Sequence, residues 1–139
     1  MNALFVDTAG WACLADRSEQ YHAAAAVIYR EAHRHRRQLL TTNYILAELV
    51  ALLTSPKRIP RSGIIAFITA IKADSQIEVV HLDAALNEQA WQLLVDRQDK
   101  ESSLVDCSSF VLMKQRGLVE ALTTDHHFEQ AGFIRLLKP

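Results

Sequence analysis

Apolar residues in this chain fall into short unbroken runs and longer stretches with helical spacing. The short runs are ALFV (residues 3–6), QLLTT (38–42), IEVVHL (77–82), VEALTT (119–124) and FIRLL (133–137). Runs of this length, apolar on both sides, suit strands buried in a sheet. Between them lie helical patterns. Asp16, with Glu19 three residues on, resembles a capping box and predicts a helix over about 18–36, where alanine is plentiful. Asn43 is placed to cap a helix over 44–53. Pro56 and Pro60 mark a loop, and residues 64–73 read as a core helix. Asp83 caps a helix over 84–98, whose Ala84, Leu86, Ala90, Leu93 and Leu94 make one apolar face. Ser102 or Ser103 opens a helix over 104–116, and Gly117 closes it. Strands thus alternate with helices along the chain. The pattern predicts an α/β fold: a mainly parallel central sheet flanked by helices on both faces. With no repeat, low-complexity tract or linker, residues 1–139 read as a single domain.

Composition narrows the class without naming a function. The 139 residues are 50% hydrophobic and 22% charged, as in ordinary globular proteins, and the formal net charge is −1. Affinity for a polyanion would therefore need a local patch. The first residues lack the basic head and apolar core of a signal peptide, and no apolar segment is long enough to span a bilayer. Cys13 and Cys107 sit among apolar neighbours without C-x-x-C spacing. They read as reduced, buried thiols of a cytoplasmic protein.

The acids carry the chemistry. In an open α/β sheet, ligands bind beyond the carboxyl ends of the strands. Asp7 directly follows the first strand, and Asp125 follows the fourth. Glu48 lies early in the helix after the second strand, and Asp106 interrupts a mostly apolar helix start. Each has a plainer reading: Asp7 and Asp125 as caps, Glu48 and Asp106 as halves of buried salt bridges. Together they form a set of carboxylates that repel one another unless a cation sits among them. Oxygen ligands of this kind suit Mg²⁺ or Mn²⁺. No matching His and Cys set for zinc is present.

Four stretches, FVDTAGW, TTNYILAEL, SSLVDCSSF and LTTDHHFEQAGF, resemble in order the acid-bearing blocks of PIN domains. The likeness is specifically to the VapC toxin ribonucleases of toxin–antitoxin pairs. It implies a metal-dependent endoribonuclease with Asp7, Glu48, Asp106 and Asp125 as ligands of Mg²⁺ or Mn²⁺. Thr8, Asn43 and Ser103 match polar positions around such sites, with helix capping as the plainer reading. Asp99, just before the third block, is a further candidate for approaching the metal. The resemblance also implies an RNA substrate, a homodimer, and a VapB-type antitoxin whose tail covers the active site. Hydrolysis by water would leave a 5′-phosphate and a 3′-hydroxyl.

Two basic clusters are candidates for holding RNA. One is REAHRHRRQ, whose plainer reading is a solvated helix C-terminus. The other is the loop with Lys57, Arg58 and Arg61. His126 and His127 read as surface or packing residues rather than a general base. Trp11, Trp91 and Phe110 read as core or interface residues. The phosphatase pattern fails because Ala9 stands where its second acid is needed, and receiver, P-loop and G-x-S-x-G patterns are not met. The competing reading is a PIN-fold module that binds RNA or protein with little or no cleavage.

Overall fold

The computed structural model describes residues 2–139. Its elements are β1 (Leu4–Val6), α1 (Thr8–Ala15), α2 (His22–Arg34), β2 (Leu39–Thr42), α3 (Asn43–Thr54), α4 (Arg61–Ala73), β3 (Ile77–Val80), α5 (Ala84–Asp96), α6 (Leu104–Arg116), β4 (Glu120–Leu122), α7 (His127–Gln130) and β5 (Ile134–Arg135). The five strands form one sheet in the order β3-β2-β1-β4-β5, and every pairing is parallel. β1 and β2 are wholly buried, which explains their unbroken apolar runs.

Strand order also fixes the layers. From β1 the chain winds outward to β2 and β3, then crosses back to β4 and β5 on the other side of β1. Right-handed crossovers put α1 to α4 on one face and α5 to α7 on the other. The packing agrees: α1 lies against α2 and α3, α3 against α4, α5 against α6, and α6 against α7. The winding reverses between β1 and β4. At such a switch point the loops splay apart and leave a crevice at the strand ends.

The predicted strands and most helices are present, with three local corrections. Residues 8–15, to which the pattern assigns no element, form helix α1, with Asp7 at its N-cap position. Trp11 on that helix is buried, and its indole N–H donates to Thr41 Oγ1 at 3.0 Å. The capping box at Asp16 and Glu19 does not form, and α2 begins only at His22. Asp16 Oδ1 instead accepts from the Ser18 backbone N–H and hydroxyl, while Glu19 pairs with Lys57. Asn43 does not cap α3. Thr42 takes that role by accepting from Ile45 N–H, and Asn43 Oδ1 accepts from Leu82 N–H. Asp83 caps α5 and Ser103 caps α6. Gly117 ends α6 at φ 66°, a left-handed conformation that glycine adopts without strain. Phe110 joins the core, whereas Trp91 is 50% exposed.

Candidate metal centre

Asp7 and Asp125 reach the crevice from the strands on either side of the switch point. Parallel pairing sets Val6 opposite Leu122, and Asp7 N–H donates to Leu122 O at 3.3 Å. The residue after β1 is thereby held beside the end of β4. Gly10 allows α1 to come equally close, since a Cβ there would stand 2.1 Å from Leu122 O. The layer behind brings Asp106. Ser103 Oγ accepts from Asp106 N–H at 3.0 Å, and Asp106 Oδ2 accepts from Ser103 N–H at 3.1 Å. This capping box fixes the Asp106 rotamer while its other oxygen stays available. Asp7, Asp106 and Asp125 each present a carboxylate oxygen, and the three atoms lie within 4.8 Å of one another.

Electrostatics mark this cluster as costly without a cation. Asp7 is only 3% exposed, and its Oδ1 is buried with no hydrogen-bond partner. Burial pushes the Asp7 carboxyl up to about 7, and neighbouring Asp106 adds to the rise. The Thr123 hydroxyl, which donates to Asp7 Oδ2 at 2.9 Å, works in the other direction. Asp106 is also raised, first by burial and then by Asp125. An ionised, buried oxygen without a partner is unfavourable on its own. A hard divalent cation removes both the missing partner and the repulsion, so the residues fit one.

Glu48 approaches from the opposite helical layer. It is not in the three-carboxylate cluster, but its Oε1 accepts from the Thr8 hydroxyl at 2.6 Å. Thr8 sits next to Asp7, so this bond ties α3 to the end of β1. Asn43 bonds the loop after β3 and, among the described residues, makes no hydrogen bond to the acids. Asp99 stands apart: it is 70% exposed and faces Arg97 and Lys100. In the basic loop, Lys57 Nζ is engaged by Asp16 at 2.9 Å and by Glu19, so its charge is already paired within the protein. Arg58 and Arg61 are exposed.

Two residues at the site were not foreseen. Thr123 links two acids, donating to Asp7 and accepting from Asp125 N–H at 3.0 Å. The available signal was its position two residues before Asp125, where a hydroxyl can turn back to the backbone. His127 was expected at the surface or in packing. Its Nδ1 instead lies 2.8 Å from Asp125 Oδ1 and 3.9 Å from Asp106 Oδ2, and its backbone N–H also donates to Asp125 Oδ1. His126 is 62% exposed, as expected.

A family model described as "PIN domain" matches residues 4–134. The chain belongs to the PIN domain family. It is 32% identical over 133 residues to the "23S rRNA-specific endonuclease VapC20" of Mycobacterium tuberculosis, covering 96% of this chain and 97% of the relative. The crystal structure of that VapC20, described as a "Sarcin-Ricin loop cleaving toxin", superposes with a TM-score of 0.83 at 31% identity, covering 99% of this chain and all of that one. A Pyrobaculum aerophilum protein of known structure shares the fold, with a TM-score of 0.65 at 22% identity over 97% of this chain and 84% of its own. Fold, family and full-length likeness together make the chain a VapC-type PIN ribonuclease. The acidic cluster agrees with the divalent-metal dependence of such nucleases.

Proposed function

We propose that the chain hydrolyses RNA phosphodiester bonds at the crevice between β1 and β4, with Mg²⁺ or Mn²⁺ held by Asp7, Asp106 and Asp125. The observation that carries this reading is the convergence of those three carboxylates around a buried, partnerless Asp7 oxygen. When bound, the cation supplies a more acidic water and neutralises charge on phosphoryl oxygens. Everything else comes from the protein. Thr123 holds Asp7 and the Asp125 backbone in one arrangement. The Ser103–Asp106 capping box fixes a third carboxylate, and His127 steadies Asp125. Glu48, oriented by Thr8, completes the acidic rim. Water rather than the ribose 2′-hydroxyl attacks, so the products carry a 5′-phosphate and a 3′-hydroxyl.

The VapC likeness supports a biological setting for this activity. The chain acts as the toxin of a VapBC-type pair, blocked by a VapB-type antitoxin, and works as a homodimer in the cytoplasm as a single domain. Because its Mycobacterium tuberculosis relative is named for 23S rRNA, a structured ribosomal RNA loop is the substrate class proposed here. Sequencing the ends of RNA cut by the purified protein tests this. One discrete cut in ribosomal RNA with a 5′-phosphate supports it, and a 2′,3′-cyclic phosphate would sink the water-attack mechanism.

A further inference from the structure

Beside the acidic crevice, on the face formed by α5, α6 and α7, lies a cavity of about 170 Å³. Its apolar lining includes Leu93, Leu94, Phe110 and Val111. Three cations stand around it, Arg97, Lys100 and Lys114, and among the described residues no acid lines it. Asp99 approaches two of them, at 4.0 Å from Arg97 and 3.8 Å from Lys100, but is exposed and leaves the rim net positive. The cavity shares its wall with the acids. His127 lines it and reaches Asp125, while Cys107, also in the lining, directly follows Asp106.

We infer that this cavity receives one nucleobase of the RNA strand next to the scissile phosphate, with Arg97, Lys100 and Lys114 holding the adjoining phosphates. The inference rests on the nuclease reading of the acidic crevice. Size agrees, because an apolar cavity of about 150 Å³ accepts benzene, and this one is slightly larger. Chemistry agrees as well. An apolar slot ringed by cations complements a flat base on a charged backbone, since every base has a stackable face and every linkage an anion. Ser102 and Gln130 also line the cavity, and their side chains make no hydrogen bond among the described residues. They are free to read a base edge, which would give the cavity selectivity between bases. An apolar antitoxin side chain would fit the lining, but it would leave the three cations unmatched.

The test has two arms. In the first, methyl NMR follows Leu93, Leu94 and Val111 while nucleoside 5′-monophosphates are added in EDTA. Ribose 5-phosphate and inorganic phosphate serve as controls. The nucleotides should shift these methyls and the controls should not, and Lys114→Glu should weaken the response about tenfold. In the second, Val111→Trp fills the cavity, and cleavage is measured on RNA with an abasic site at each position flanking the cut. One abasic position should lower kcat/KM about 10- to 100-fold, and the filled variant should show that loss on intact RNA with no further loss on abasic RNA. Lys114→Glu, at the surface, repeats the comparison should the tryptophan disturb folding. Methyl shifts without cleavage would overturn the nuclease reading, and with it the place beside a scissile phosphate, while nucleotide binding in the cavity would stand. Cleavage without methyl shifts, or shifts caused equally by ribose 5-phosphate, would overturn the assignment. So would a cavity that answers only to an antitoxin-tail peptide.

Discussion

At the scale of single residues, Asp7 is the most informative. Its carboxyl titrates at about 7 in the fold because burial disfavours the charge, against about 4 in an unfolded chain. The fold therefore binds this proton more tightly than the unfolded chain does. The sign follows: ionising Asp7 subtracts stability progressively as pH rises from about 4 to about 7, and the full penalty stands above that. Asp7→Asn removes the penalty. In EDTA at pH 8 it should raise the melting temperature by roughly 5–10 °C, and at pH 4 the gain should vanish. A gain that does not depend on pH would refute the burial argument. Adding Mn²⁺ should stabilise the wild type and not the variant, since ligands of the native state raise its stability. Thr123→Val takes away the hydroxyl that serves Asp7 and Asp125 together. Cleavage should fall by about tenfold or more with the fold intact, as expected from losing a hydrogen bond to a charged group. Sequence exposed the acids by type and position, because each follows a strand or sits at a helix start. It did not expose Thr123 or His127, whose importance lies in contacts that form only when β1, β4 and α6 converge.

Among the elements, α1 shows where pattern reading fails and why. Its apolar residues run almost without interruption from Ala9 to Ala15, so helical periodicity is invisible and the opening DTAG looks like a turn. The helix is set by tertiary contact instead, packed between α2 and α3 with Trp11 bonded to Thr41. Its close approach to β4 depends on Gly10. Gly10→Ala places a methyl against a backbone carbonyl that cannot swing aside, at 2.1 Å. Thermal denaturation should show a loss of about 1–3 kcal/mol or more, together with weaker cleavage because Asp7 starts the same helix. Wild-type stability in this variant would mean that the helix packs elsewhere. The basic loop gives the converse case. Its charges were legible, but whether they were already paired was not. Lys57→Ser should leave the salt dependence of RNA binding unchanged, because Asp16 and Glu19 already neutralise Lys57. Arg58→Ser with Arg61→Ser should flatten that dependence if the loop touches phosphate.

For the whole molecule, the alternation of short apolar runs with helical stretches was enough to imply a parallel sheet covered on both faces. Strand order was not legible, because the same alternation serves several windings. It matters here, since the reversal between β1 and β4 alone brings acids from distant stretches of chain to one crevice. On the proposed function the three clustered aspartates act as one unit, so neutralising any of them should remove nearly all metal-dependent activity rather than a fraction. The most direct test is cleavage of end-labelled ribosomal and transfer RNA by purified, antitoxin-free protein. It would be run with Mn²⁺, with Mg²⁺ and with EDTA, beside Asp106→Asn. A discrete cut that needs the ion and disappears in the variant is the expected result. Cleavage that persists in EDTA or in Asp106→Asn would contradict the metal centre at its core.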